Sequence, residues 1–216
     1  MSTAVQISAG GCVLDADLTK PDASVGVVAF AHGTGSSRHS PRNREVATVL
    51  QDAGLATLLA DLLTPEEEQA DLRTGHLRFD IGLLAGRLVA ITDWLSAEPT
   101  TAGLPVGFFG ASTGGAAALV AAARQPQGVS AVVSRGGRPD LAGADLGAVR
   151  APTLLIVGGR DDVVLGLNQE ALDELRCDKR LEVVPGATHL FEEPGALQTV
   201  AGLARGWFLD HLTPGA

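Results

Sequence analysis

Two hydrophobic rhythms alternate along the chain. Short continuous apolar runs occur at VGVVAFA (25–31), LATLLAD (55–61), VGFFG (106–110), VSAVVSRGG (129–137), PTLLIVGGRDD (152–162) and RLEVVPGATH (180–189). Runs of this length bounded by turn residues predict strands, the most apolar of them covered on both faces. Between them, apolar positions recur at helical spacing. SPRNREVATVLQDAG (40–54) predicts a helix with Ser40 as cap, Pro41 at the first helical position and Gly54 at the exit. Further helices are predicted at 79–99, 115–125, 167–176 and 197–212. Val5–Ser8 and Cys12–Leu18 alternate loosely around AGG and predict an antiparallel hairpin at a sheet edge. LLTPEEEQADLRTGHLR (62–78) is polar and irregular, and predicts a long loop with a short helical turn.

Strand followed by helix, repeated along most of the chain, defines an α/β class. It predicts a mostly parallel sheet with helices on both faces, and function at the carboxyl ends of the strands. The segment between the strands at 129–137 and 152–162 is too short for a large lid domain. Residues 1–216 read as a single domain, since 45% hydrophobic content over 216 residues supports one sizeable core.

Charge narrows the function classes. The formal net charge is −9 and no Lys/Arg-rich run occurs, which argues against nucleic-acid binding. No apolar run reaches membrane-spanning length, and MSTAVQISAGG has neither a basic nor an apolar leader region, so a cytoplasmic protein is expected. Cys12 and Cys177 stand far apart with no Cys/His cluster, so free thiols and no metal site are expected. Abundant Ala and Gly, with arginine heavily preferred to lysine, suggest a GC-rich bacterial coding bias.

The candidate chemistry begins at Gly110-Ala111-Ser112-Thr113-Gly114. A G-x-S-x-G run between a buried strand and a helix is the nucleophile-elbow pattern. Gly110 and Gly114, two residues to either side of the serine, carry no side chain where the strand and helix backbones approach, and the helix N-terminus favours negative charge at the reacting centre. A serine hydroxyl is a weak nucleophile without a base. His189, in the loop after the last strand, is the candidate base; His39 is the rival. His32 is expected to order its loop by hydrogen bonding. Asp161, at the end of TLLIVGGR, is the candidate orienting acid, with Asp162 the alternative. Backbone N–H groups of Thr34 and Thr113 are the candidate oxyanion donors, Gly33 and Gly35 giving their loop its freedom. Arg38 and Arg138 stand near the expected mouth and are candidates for binding an anionic substrate. The structural alternative pairs the loop arginines with Asp140, Asp162 or Glu45.

Together the segments AHGTGSSRHSPRN, GASTGG, IVGGRDD and GATHLFEEPG resemble the α/β-hydrolase superfamily, and more narrowly its compact, lidless, dienelactone-hydrolase-like branch. The likeness runs from about residue 25 to residue 212. It implies an α/β-hydrolase fold and an acyl-enzyme on Ser112, with His189 as base, Asp161 as orienter and the Thr34 and Thr113 N–H groups as oxyanion hole. Dienelactone hydrolases proper use a cysteine nucleophile, so Ser112 favours a serine esterase. The expected function is hydrolysis of a small-molecule carboxylic ester, lactone or thioester without a cofactor, by a monomer or homodimer. An acyltransferase or perhydrolase on the same site is the alternative enzyme reading. A non-catalytic binding protein on a hydrolase fold is the alternative of a different class.

Overall fold

The computed structural model of the protein describes residues 2–213. Its centre is an eight-stranded sheet. The strands are β1 (Ser2–Ala9), β2 (Cys12–Thr19), β3 (Gly26–Ala31), β4 (Leu55–Ala60), β5 (Val106–Ala111), β6 (Ala131–Arg135), β7 (Thr153–Gly158) and β8 (Lys179–Val184). Their spatial order is β1-β2-β4-β3-β5-β6-β7-β8. The β1–β2 and β2–β4 pairs are antiparallel, and every other neighbouring pair is parallel. β3 and β5 thus lie side by side at the centre, with the loops that follow them facing each other.

The strands from β3 to β7 are buried along their whole length. Period-2 alternation divides their side chains between two apolar layers. Val28, Phe30, Phe109 and Val133 point towards α1 (Pro41–Asp52) and a long closing helix at 196–212. Val27, Ala29, Phe108 and Val132 point towards a helix at 81–97 and one at 113–124. Buried on both faces, these strands lack polar alternation, which is why they appear in the sequence as unbroken apolar runs.

One segment differs in kind from the sequence expectation. Residues 65–74, expected to be mostly loop, form a ten-residue helix, α2 (Pro65–Thr74). Thr64 caps it, with its side chain accepting from Glu67 N–H while the Glu67 carboxylate accepts from Thr64 N–H. Gly75 in the left-handed region ends it. The T-x-x-E capping box and the exit glycine were present in the sequence. They were obscured because only Asp71 in this helix is buried, so it carries no apolar stripe. Residues 139–148, in the segment expected to be too short for a large lid domain, form a 3₁₀ segment broken at Gly143 and packed on the helix at 113–124. Among the described residues, no lid domain covers the strand ends. In chain order the remaining helices are α3 (Ile81–Ala97), α4 (Thr113–Arg124), α5 (Asp162–Glu174) and α6 (Ala196–Leu212). α5 begins five residues before the expected start at 167, directly after Asp161. No helix among the described residues is long and apolar enough to cross a membrane.

Candidate active site

Ser112 is the single residue between β5 and α4, and its backbone lies at φ 51°, ψ −122°. For a non-glycine residue this is a strained conformation, and the surroundings hold it there. Ser112 N–H donates to the Arg135 carbonyl at 3.3 Å, and the Ser112 carbonyl accepts from Gly115 N–H at 3.0 Å and Arg138 N–H at 3.1 Å. A Cβ on Gly110 would lie 2.5 Å from the Gly114 oxygen. One on Gly33 would lie 2.9 Å from Ser112 Cβ, so the loop after β3 approaches the elbow closely. The side chain of Ser112 opens into a cavity of about 240 Å³ that also holds Thr34, Arg42, Arg135 and His189.

His189 Nδ1 lies 2.7 Å from Asp161 Oδ2. Asp161, at the end of β7, is the carboxylate that meets the imidazole, whereas Asp162 is the first residue of α5. Two loops must approach closely for this contact. A Cβ on Gly158 would lie 2.5 Å from the Ala187 oxygen, so the β7 end and the histidine loop touch backbone to backbone. The histidine loop is pinned at Phe191, which is fully buried and held at φ 56°. Glu193 fastens it further by accepting from Thr188 N–H at 3.1 Å and Thr188 Oγ1 at 2.7 Å. Those hydrogen bonds hold the Glu193 carboxyl below its ordinary pKa. Neither anchor carried a sequence signal, because a buried phenylalanine and a surface glutamate are unremarkable until the loop is closed.

Opposite the elbow, Thr34 and Thr113 meet through their hydroxyls at 3.2 Å. Thr113 is the first residue of α4, so its N–H has no partner inside the helix. His32 fixes the loop that carries Thr34. Its Nε2 accepts from Leu62 N–H at 3.0 Å, and its Nδ1 lies 3.1 Å from the Gly33 carbonyl. Both contacts are satisfied by the neutral ring with its proton on Nδ1. Burial lowers the pKa of this imidazole, an effect only partly offset by the Gly33 hydrogen bond and the charges of Asp61 and Glu68. The sign of the pH effect follows. An unfolded histidine keeps its ordinary value near 6.5, so between that value and the lower folded one the unfolded chain holds the extra proton. Stability is therefore expected to fall as pH drops below about 6.5, then level off once the folded value is passed. Thermal melts of wild type and His32→Gln across pH 4–8 check this; identical slopes would remove His32 as the cause.

The remaining sequence candidates fall elsewhere. Arg38 pairs with Asp61, to which it also donates its backbone N–H, and lies near Asp15 and Asp17. The Arg138 guanidinium is held by Asp140 at 2.8 and 2.7 Å. Neither guanidinium lines the Ser112 cavity. Arg138 instead reaches the elbow through its backbone N–H. His39 Nδ1 meets Arg44 at the exposed start of α1, outside the cavity. Arg42, in the first turn of α1, and Arg135, the last residue of β6, are the arginines that line it. Strand register decides this: Arg135 pairs with Ala111, one residue before the nucleophile candidate. No group of three or more His, Cys, Asp or Glu side chains able to hold a metal occurs among the described residues.

On the far side of Thr34 and Thr113 lies a second cavity of about 320 Å³, lined by Leu63, Leu72 and Leu84 together with Asp71 and Arg78. Burial alone would raise the Asp71 pKa. Hydrogen bonds from the Arg78 guanidinium and from Leu77 and Arg78 N–H outweigh it and leave the carboxyl below its ordinary value. The helix expected to be loop, α2, therefore forms one wall of the site.

The strand order, the strained serine at the β5–α4 junction and the histidine loop after β8 define an α/β-hydrolase. Est1E from Butyrivibrio proteoclasticus, solved with ferulic acid bound, superimposes with a TM-score of 0.80 at 18% identity, covering 98% of this chain and 100% of that one. The chain belongs to the dienelactone hydrolase family, which it matches over residues 14–205. A dienelactone hydrolase from Anabaena variabilis is 63% identical, with a TM-score of 0.97 and 98% of each chain covered. A Mycobacterium tuberculosis protein named as a phosphoribosyl transferase is 62% identical over 208 residues. Those residues are 96% of this chain and 46% of that protein, so the chain spans about half the length of the curated relative it matches.

Proposed function

We propose that the protein is a serine hydrolase that cleaves a carboxylic ester, lactone or thioester through an acyl-enzyme on Ser112. One observation carries this reading: the strained Ser112 shares a cavity with His189, whose other ring nitrogen is held by Asp161 at 2.7 Å. Ser112 Oγ attacks the acyl carbonyl as His189 Nε2 takes its proton. Asp161 fixes the tautomer and stabilises the imidazolium. The carbonyl oxygen becomes an oxyanion facing the N–H groups of Thr34 and Thr113, at the positive end of α4. Collapse breaks the bond to the leaving oxygen or sulfur, which receives the proton from His189. Water then adds to the acyl-enzyme with His189 as base again, and Ser112 leaves with the proton. No hydrogen bond joins Ser112 Oγ to His189 among the described residues, and such contacts commonly tighten only when substrate binds.

Membership of the dienelactone hydrolase family supports the reaction class. The transferase name belongs to a relative more than twice as long as the matched segment, and is not carried over. A fluorophosphonate probe tests the nucleophile. Wild type is expected to be labelled at Ser112 and Ser112→Ala to stay unlabelled, while a parallel panel of p-nitrophenyl esters, lactones and acyl thioesters identifies the bond. A folded wild type that neither takes the probe nor turns over any of the panel would refute the reading.

A further inference from the structure

Among the described residues, the Ser112 cavity contains a cation without a counter-ion. Arg135 is only 8% exposed. Among the described residues, its Nε and Nη1 have no hydrogen-bond partner, and Nη2 reaches only Asn43 Oδ1 at 3.4 Å. Side chains alternate along β6, which sends Arg135 to the same face as Ala131 and Val133, towards α1 and the cavity. There it meets a second guanidinium, Arg42. That residue touches Glu192 at 3.2 Å through Nη1, at the solvent-exposed rim, and its Nε is unpartnered. The rest of the wall is Gly33, Thr34, Ser36, Ser40, Asn43, Leu190, the elbow and His189, and no carboxylate lines it among the described residues.

A buried arginine is ordinarily paired, because removing its charge from water is unfavourable without compensation. Arg135 has the opposite arrangement, with a like charge beside it. Burial, then the Arg42 charge, lowers its pKa to about 10, which still leaves it cationic at neutral pH. Its five donors form a planar fork suited to two-point recognition of an oxyanion. Arg38, Arg87 and Arg138, three other partly or fully buried arginines, each have a carboxylate in place.

We propose that Arg135, assisted by Arg42, binds a carboxylate or phosphate carried by the substrate, so that the hydrolase acts on an ester or thioester bearing a second, anionic group. This rests on the serine-hydrolase reading above. The Arg135 carbonyl accepts from Ser112 N–H, so the anion would be held close to the scissile bond. The remainder of the substrate has the larger cavity across the Thr34–Thr113 contact, whose wall mixes Leu63, Leu72 and Leu84 with Glu68, Asp71 and Arg78.

The test is binding, read without turnover. Ser112→Ala protein is titrated by calorimetry with inorganic phosphate, with glutarate and with neutral glutaramide, at constant ionic strength. Phosphate, glutarate or both are expected to bind, and glutaramide is not; the tighter anion identifies the group. Adding Arg135→Gln should weaken the anion by about tenfold or more, with Arg135→Lys recovering part of it and Arg42→Gln losing less. If Arg135→Gln fails to fold by circular dichroism, the solvent-rimmed Arg42→Gln carries the test, and a loss of about threefold is required. Anion binding unchanged by these variants, or no binding of either anion at millimolar concentration, overturns the proposal. Ester turnover by wild type is measured separately. Its absence would refute the hydrolase reading, whereas the anion titration stands or falls on Arg135.

Discussion

His189→Ala is expected to lower kcat for a short-chain ester by about 10³- to 10⁶-fold, with little change in melting temperature. The side chain is 40% exposed and packs no core, so its removal should leave the fold intact. The Ser112 proton would then have no acceptor, because no other histidine can substitute. His32 has both nitrogens engaged, by Leu62 N–H and the Gly33 carbonyl. His39 lies against Arg44, His211 against Trp207 near the C-terminal end of α6, and His76, in the turn after α2, lines neither cavity. Asp161→Asn is expected to cost about 10⁴-fold for a different reason, since an amide can hold the ring in the wrong tautomer. Groups acting as one unit are not additive. The double variant Ser112→Ala/His189→Ala should therefore be no slower than the worse single one. Steady-state kinetics on purified variants decides the matter. A His189→Ala enzyme within about tenfold of wild type would transfer the base to another group and dismantle the proposed triad.

The sheet was legible because five of its strands are covered on both faces and therefore appear as uninterrupted apolar runs. The elbow was legible because steric crowding restricts its flanks to glycine. Asp161 and His189 were legible as polar residues immediately after strands. Choosing Asp161 over Asp162 needed the actual path of the chain, since either can follow a strand that ends at Gly158. The least legible part was charge. Arg38 and Arg135 both stand beside serines and glycines at or just after a strand end. Yet Arg38 is neutralised by Asp61, at the end of an adjacent strand, while Arg135 faces a cavity without a carboxylate. Ion pairing depends on which strand ends are neighbours, and a β1-β2-β4-β3-β5 order cannot be read from local composition. The same holds for α2, whose capping box is local but whose role as a cavity wall depends on its position over the strand ends.

Gly114→Ala should destabilise the protein by about 3 kcal/mol or more, the largest loss expected from a single added methyl group. For a chain of this length that corresponds to a fall of very roughly 6–12 °C in melting temperature. A Cβ at this position would be driven inside van der Waals contact with the Ala31 oxygen and would lie 2.7 Å from the His32 oxygen. Both obstacles are backbone carbonyls at the end of β3, so no side-chain rotation relieves them. The strand and α4 would have to separate. Gly202→Ala and Gly86→Ala provide the contrast: both positions are exposed within long helices and a Cβ there meets nothing. The same substitution should stabilise at those sites by about 0.4–1 kcal/mol through the unfolded chain. Opposite signs for one chemical change would show that the elbow, and not glycine as such, sets the cost. Chemical denaturation of the three variants measures it. The functional consequence is linked, because Ala31 and His32 lead directly into Thr34. Moving β3 away from α4 would also pull the Thr34 N–H away from that of Thr113, so surviving folded Gly114→Ala protein should lose kcat more than it gains KM. A variant within about 1 kcal/mol of wild type would mean that β3 and the elbow can separate freely, and with them the two proposed oxyanion donors.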